Sequence, residues 1–152
     1  MSSSSATPPA IPFPETGRLL GVDYGTKRVG LAISTPDQRI ASPLEIRVRQ
    51  NDVQDERYFR GILADYSVQG VVVGLPIHVN GNEGQKAREA RAYGQWIEKH
   101  FSLPVTFWDE RYTSSVAEDF MIGLDLTREQ RKKRIDMLAA QIMLQSYLDR
   151  PR

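Results

Sequence analysis

Residues 18–33 of this chain read RLLGVDYGTKRVGLAI, and this stretch decides the class of fold. The first six residues predict a strand, residues 24–28 predict a turn, and residues 29–33 predict a returning strand. Residues 40–48 extend the pattern to a third strand, in which Pro43 favours an edge position or a bulge because it cannot donate a backbone hydrogen bond. The stretch therefore predicts an antiparallel three-strand meander.

The rest of the chain alternates between predicted helices and strands. Residues 71–73 form a short, continuous apolar run, which is typical of a strand buried on both faces. The predicted elements after the meander are a helix from an Asn51 cap to about residue 66, the strand at 71–73, a helix at about 85–101, a strand at 105–108, and two helices, one after Ser115 and one from Thr127 to about 148. This order predicts an α/β fold: one mixed β-sheet, with the antiparallel meander plus parallel strands, and helices on both faces.

Length and composition limit the class of protein. The chain has 152 residues, which suits one domain, and its 40% hydrophobic residues can supply a core. Cysteine is absent, which excludes a disulfide framework and thiolate metal sites. Residues 1–16 hold four of the nine prolines and four serines, so we expect a disordered tail followed by a single domain at 17–152.

Two further features concern partners and compartment. We find neither a signal peptide nor an apolar run long enough to span a bilayer, so we expect a cytoplasmic protein with no membrane partner. The net charge is only +1, so any attraction to nucleic-acid phosphates must come from a local cluster of cations.

Asp136 is the most informative single residue. It interrupts an otherwise apolar segment, residues 135–144, of the last predicted helix. Burying an unpaired carboxylate costs several kcal/mol, so we expect a cation, hydrogen-bond donors or a metal beside it. An ion pair with Lys132, four residues earlier, explains Asp136 as well as a metal ligand does.

Two other carboxylates end predicted strands. Asp23 meets the turn that contains Gly25, and Glu110 follows the strand at 105–108. Taken alone, Asp23 is explained by a turn aspartate that bonds its own backbone, and Glu110 by a surface ion pair with Arg111. Together with Asp136 they place three acids at the ends or faces of three core elements, which suits a hard divalent cation, Mg²⁺ or Mn²⁺.

Zinc is a poorer candidate for this chain. The only imidazoles are His78 and His100, and no cysteine is available to complete a zinc site. His78 follows Pro76 in a predicted loop and could approach a substrate, although a solvated loop histidine is the simpler interpretation.

A basic run precedes Asp136. Arg131, Lys132, Lys133 and Arg134 follow Arg128 in the first turns of the last predicted helix. Cations in the first turn oppose the helix macrodipole by roughly 0.3–1 kcal/mol, so helix stability does not explain them. A solvated face is the usual explanation of a charge run, but phosphate binding at a helix N-terminus accounts better for this one.

These motifs together resemble the YqgF/RuvX family. The resemblance is carried, in chain order, by residues 20–30, 73–76 and 108–111, and by 131–136 with Ala139-Ala140. It implies an RNase H-like fold close to that of Holliday-junction resolvases, with Asp23, Glu110 and Asp136 as the family's acidic residues. It also implies a role in maturing the 5′ end of pre-16S ribosomal RNA, with resolution of branched DNA as an alternative.

The resulting prediction is a nuclease that hydrolyses phosphodiester bonds with a metal-activated water. Asp23, in a bridging position, would hold one or two Mg²⁺ or Mn²⁺ ions together with Glu110 and Asp136. Substrate contacts are predicted for Lys27, Arg28, Arg111 and the basic run of Arg131, Lys132, Lys133 and Arg134. The expected partners are pre-rRNA, or branched DNA, and ribosomal precursor particles.

Two other classes of protein remain open from sequence. An Asp-x-Gly-Thr turn followed by a basic residue, here at residues 23–27, also resembles the phosphate loop of actin-like ATPases and sugar kinases. The chain is too short for the two lobes of those proteins. A non-catalytic RNA-binding module is the second alternative, and the three acids argue against it.

Overall fold

Residues 12–113 and 125–152 are described by the structure, which is a computed structural model. The helix predicted after Ser115 lies outside these residues. The described strands are β1 (Leu19–Asp23), β2 (Arg28–Ser34), β3 (Ala41–Val48), β4 (Gly70–Leu75) and β5 (Val105–Asp109). They form one sheet in the order β3-β2-β1-β4-β5. Pairing is antiparallel from β3 to β1 and parallel from β1 to β5, so the predicted mixed sheet is confirmed.

The meander follows the local signals in the sequence. Gly25 is required in its turn because a Cβ at this position would collide with the carbonyl oxygen of Arg28. The register of β2 and β3 shifts between Leu31 and Ala32, where Ala32 pairs with Pro43. Pro43 thus lies at an irregularity in an edge strand, as predicted.

Within the described residues, three α-helices accompany the sheet: α1 (Asp52–Asp65), α2 (Gln85–Phe101) and α3 (Arg128–Leu148). Asn51 caps α1 by accepting a hydrogen bond from the backbone N–H of Gln54 at 2.9 Å. Thr127 and Gln130 form a reciprocal capping box at the start of α3. A 3₁₀ turn, Glu110–Tyr112, follows β5. The predicted starts of α1 and α3 are confirmed.

The sheet is covered on both faces, as predicted. In β1, Leu20 packs with Phe59 of α1 and Ile97 of α2, whereas Leu19 packs on the other face with Leu144 of α3. All six residues of β4 are buried, which is the pattern of a strand covered on both sides. The two faces therefore differ: α1 and α2 cover one, and α3 covers the other.

The segment before β1 differs from the expectation of a disordered tail that extends to residue 16. The ring of Phe13 packs edge-on against Tyr147 of α3, with 5.9 Å between the ring centroids. The buried side chain of Gln38 donates hydrogen bonds to the carbonyl oxygens of Pro14 and Gly17, each at 3.1 Å. Packing of the Phe13 ring, on a backbone that Pro12 and Pro14 restrict, offsets the entropy cost of ordering this segment. Composition alone does not report this packing.

Among the described residues, no helix combines the length and the apolar character that a membrane-crossing segment requires.

Candidate active site

Two carboxylates meet at the carboxyl ends of the parallel strands. Asp23 is the last residue of β1, and Glu110 follows β5. Between these strands lies β4, and the two side chains are hydrogen-bonded across it. Gly74 makes this possible, since a Cβ at residue 74 would lie 2.6 Å from Oε1 of Glu110. The structure therefore brings together two of the three predicted acids.

The surroundings of this pair change its proton affinity. Burial raises the pKa of Glu110 to about 7, and the charge of Asp23 adds to the effect. Burial also raises the pKa of Asp23, against the opposing influence of Lys86. Glu110 donates the hydrogen bond between them, because that bond favours its protonated form and the ionised form of Asp23. Near neutral pH the carboxyl of Glu110 is therefore partly protonated.

Asp136 does not lie where the sequence predicts. It is exposed on α3, and the prediction of a buried carboxylate is wrong. The reason is that α3 becomes buried only from Ala140 onward, so the apolar residues around Asp136 precede the part of the helix that packs on the sheet. Asp136 nevertheless lies close enough to Asp23 to contribute to the raised pKa of Asp23.

The alternative explanation of Asp136 is not supported either, because the described part of α3 contains no ion pair between Asp136 and Lys132. Within residues 12–113 and 125–152, no group of three acidic or histidine side chains is close enough to hold a metal ion. The structure thus forms a pair of acids, with a third acid nearby on α3.

A cavity of about 350 Å³ separates the acid pair from α3. Its polar lining comes from Asp23, Glu110 and Thr113, and its apolar lining includes Ile135 and Met143 of α3. Apolar walls beside carboxylates strengthen electrostatic interactions within the cavity. The sequence does not identify Thr113 as a site residue, because its local pattern indicates only a residue that precedes a helix.

Lys86 is the functional candidate that sequence reasoning misses. It lies exposed in the first turn of α2, and its positive charge opposes the rise in pKa of both Asp23 and Glu110. One local signal could have identified it: the first turn of α2 contains a lysine and no acid, against the preference of the helix macrodipole. The same anomaly draws attention to the basic run in α3.

Arg111, a predicted substrate contact, is engaged within the protein. Its Nη2 lies 2.6 Å from Oδ2 of Asp109, and its Nε contacts both carboxylate oxygens of that residue. Its Nη1 donates to the carbonyl oxygens of His78 and Val79 at 3.5 and 3.4 Å. Arg111 therefore fastens the end of β5 to the loop at residues 77–84.

The remaining predicted contacts differ in position. Lys27 and Arg28 are exposed in the turn that follows Asp23, and Lys132 and Lys133 are exposed in the second turn of α3. His78 is exposed, and its backbone N–H donates to the carbonyl oxygen of Asn82 at 3.0 Å, so it belongs to the loop that Arg111 fastens. Arg131 and Arg134 belong to the same basic run of α3.

The donor set fits a hard divalent cation. The pair offers carboxylate oxygens from the end of β1 and from the turn after β5, and such oxygens are the ligands that Mg²⁺ and Mn²⁺ prefer. The raised pKa values show that the two carboxylates lack a full compensating charge from the protein. A bound cation would supply it.

Comparison with solved structures identifies the fold. The structure of Thermus thermophilus RuvC in complex with a Holliday junction substrate superposes with a TM-score of 0.51 at 15% identity, covering 86% of this chain and 94% of that one. The yeast mitochondrial Holliday junction resolvase Ydc2 gives 0.50 at 11% identity, covering 90% and 80%. The chain has the RNase H-like fold, as predicted.

Sequence comparison then identifies the family. Residues 17–150 match the family model described as RuvX, Holliday junction resolvase. A protein of Rhodopirellula baltica named "Putative pre-16S rRNA nuclease" is 41% identical over 137 residues, covering 90% of this chain and 79% of that protein. A protein of the same name from Caldanaerobacter subterraneus is 44% identical over 133 residues, covering 87% and 96%. This chain belongs to the RuvX family, and the predicted resemblance to a family of nucleases is confirmed.

Proposed function

We propose that this chain is a divalent-metal-dependent nuclease that processes the 5′ end of pre-16S rRNA. The observation that carries the proposal is the pair of Asp23 and Glu110, two partly buried carboxylates at the ends of different strands, whose pKa values are both raised. Family membership makes a nuclease a better account of this pair than the ATPase-like or non-catalytic alternatives.

Asp23 and Glu110 would hold Mg²⁺ or Mn²⁺, with Asp136 as a third ligand from α3. A divalent cation supplies Lewis acidity and lowers the pKa of a bound water. Glu110 must lose its proton to bind a cation, so metal binding should strengthen as the pH rises through about 7. Gly74 keeps the space in which the Glu110 carboxylate turns toward Asp23.

Other groups would hold the nucleic acid. The positive charge of Lys86 acts to lower the pKa of both Asp23 and Glu110, so Lys86 is near the acid pair. It is suited to bind a phosphate next to the cleaved bond. Lys27 and Arg28 adjoin Asp23, and the basic run of α3 would contact the backbone farther along the strand. Ile135 and Met143 would exclude water from one side of the site.

The names of the relatives support pre-16S rRNA as the substrate. We propose the cytoplasm as the compartment and ribosomal precursor particles as partners. The description of the family model supports branched DNA as a second candidate. Both substrates present a phosphodiester backbone that the same site could cleave.

The proposal is tested by incubating the protein with precursor 16S rRNA and with a four-way DNA junction, each with Mg²⁺, Mn²⁺ or EDTA. We expect cleavage near the 5′ end of the RNA with either metal, none in EDTA, and none by Asp23→Asn. Cleavage of the junction alone would assign the DNA substrate. Binding of both without any metal-dependent cleavage would refute the nuclease.

A further inference from the structure

A second pocket, of about 260 Å³, opens on the face of the sheet that α1 and α2 cover. Its lining combines three aromatic rings, one cation and three acids, none of which the proposed cleavage uses: Tyr24, Tyr93 and Trp96, Arg49, and Asp52, Asp55 and Glu89. Tyr24 directly follows Asp23, so the pocket begins one residue from the acid pair.

The pocket presents the partly exposed side chains of Tyr24, Arg49 and Trp96, which pack against the buried ring of Tyr93. The guanidinium carbon of Arg49 lies 5.2 Å from the ring centroid of Tyr24 and 5.1 Å from that of Tyr93. Nη1 of Arg49 also donates to the hydroxyl of Tyr24 and to the carbonyl oxygen of Thr26, at 3.1 and 3.2 Å. The rings of Tyr93 and Trp96 are stacked, with 5.7 Å between centroids. Unstacked nucleobases bind to aromatic rings and arginine planes of this kind.

The acids determine which part of a nucleotide the pocket suits. Asp52 is exposed and Glu89 is partly exposed, and two carboxylates repel a phosphate. The same carboxylates accept hydrogen bonds from exocyclic amines, such as N4 of cytosine, and uracil offers no such amine. Asp55 is occupied, because it accepts hydrogen bonds from the backbone N–H of Gln50 and from Arg47.

One helix connects the pocket to the acid pair. Lys86, Glu89, Tyr93 and Trp96 follow one another at spacings of three, four and three residues, so they form one stripe along α2. The seven residues from Lys86 to Tyr93 span roughly 10 Å of helix axis, which is about three nucleotides of a stacked strand. A strand with a phosphate at Lys86 can therefore deliver a base to the pocket.

We propose that this pocket binds one unpaired, amino-bearing nucleobase of the substrate strand, a few nucleotides from the cleaved bond. The proposal rests on the proposed function in taking nucleic acid as the ligand. It requires a single-stranded segment beside the cleavage site, because a base inside a duplex cannot reach the rings.

The test uses short single-stranded RNAs that carry the fluorescent base 2-aminopurine, itself an amino-bearing base, at successive positions. Binding is measured in EDTA, which prevents metal-dependent cleavage. We expect quenching at one position and not along the whole strand. At that position, replacing cytosine by uracil should weaken binding at least roughly fivefold.

Two double variants decide whether the acids of the pocket are responsible. In Asp52→Ala/Glu89→Ala, the preference for cytosine over uracil should fall toward onefold. In the control Asp65→Ala/Glu98→Ala, which makes the same two changes at exposed positions of the same helices, the preference should remain. Melting temperatures of both variants establish that they are folded.

The outcomes separate this proposal from the nuclease. Uniform quenching, or a base preference that survives in Asp52→Ala/Glu89→Ala, would refute base binding by this pocket even if metal-dependent cleavage is observed. A single quenched position with an acid-dependent preference, in a protein that cleaves nothing, would support the pocket and refute the nuclease.

Discussion

Replacing Glu110 by glutamine should remove a pH dependence from the stability of the metal-free protein. Burial and the neighbouring Asp23 raise the pKa of Glu110 from 4.5 to about 7. Between these two values the folded protein binds more protons than the unfolded chain. Its free energy of unfolding should therefore fall as the pH rises from about 4.5 to 7. The amide side chain of the Glu110→Gln variant does not titrate in this range, so this loss should be absent.

The size of the effect follows from the same two values. At about 1.4 kcal/mol for each pH unit, the wild-type protein should lose up to about 3 kcal/mol relative to Glu110→Gln. For a chain of this length, about 3 kcal/mol corresponds to a difference in melting temperature of roughly 6–12 °C. Below about pH 4.5 the two proteins should be nearly equally stable.

The assay is thermal unfolding in EDTA at several pH values between about 4 and 8.5, with Glu98→Gln as the exposed control on α2. Added Mg²⁺ should stabilise the wild type at about pH 8 and should stabilise Glu110→Gln less. Parallel curves for wild type and Glu110→Gln across the whole range would refute the assignment of a raised pKa to Glu110.

Four other changes have definite expected outcomes. Gly74→Ala should lower the cleavage rate at least roughly tenfold and lower the free energy of unfolding by about 1–3 kcal/mol, because the new Cβ lies 2.6 Å from Oε1 of Glu110. In the control Gly61→Ala the new Cβ has no neighbour within 4 Å, so cleavage should be unchanged. Asp136→Asn should change the free energy of unfolding by no more than about 0.5 kcal/mol, because the side chain is exposed. The variant should nevertheless lose cleavage and part of the stabilisation by Mg²⁺, and normal cleavage would show that Asp136 is not a metal ligand. Lys86→Met should move the pH transition of Glu110 upward and weaken RNA binding, and an unmoved transition in unfolding curves would contradict the proximity of Lys86. Phe13→Ala should lower the melting temperature by several degrees, because the contact with Tyr147 is lost. An unchanged melting temperature would support the expectation that residues 13–16 belong to a disordered tail.

Local sequence signals predict most of the described fold. The meander, the capped starts of α1 and α3 and the buried β4 each depend on residues within a few positions of one another. The proximity of Asp23 and Glu110 was also predictable, because the carboxyl ends of the parallel strands β1, β4 and β5 lie at one edge of the sheet.

The errors arise where tertiary position overrides local pattern. The apolar neighbours of Asp136 indicate burial, but α3 meets the sheet only from Ala140 onward, and no local signal reports where a partner sheet ends. Phe13 lies in a segment whose composition indicates disorder, and only the recess beside Tyr147 makes it part of the core. Lys86 is 24 residues before Glu110 in the chain, so its proximity to the acid pair is a property of the fold.

The ion pair between Arg111 and Asp109 has a mechanical consequence for Glu110. These two residues flank Glu110 in the chain, and Arg111 also holds the carbonyl oxygens of His78 and Val79. Displacement of the loop at 77–84 is therefore transmitted to the backbone on both sides of the acid. If a bound strand contacts that loop, its effect on the orientation of Glu110 would equal, by thermodynamic reciprocity, the effect of that orientation on the affinity for the strand. Binding of a strand at the loop and orientation of Glu110 would then form one coupled equilibrium.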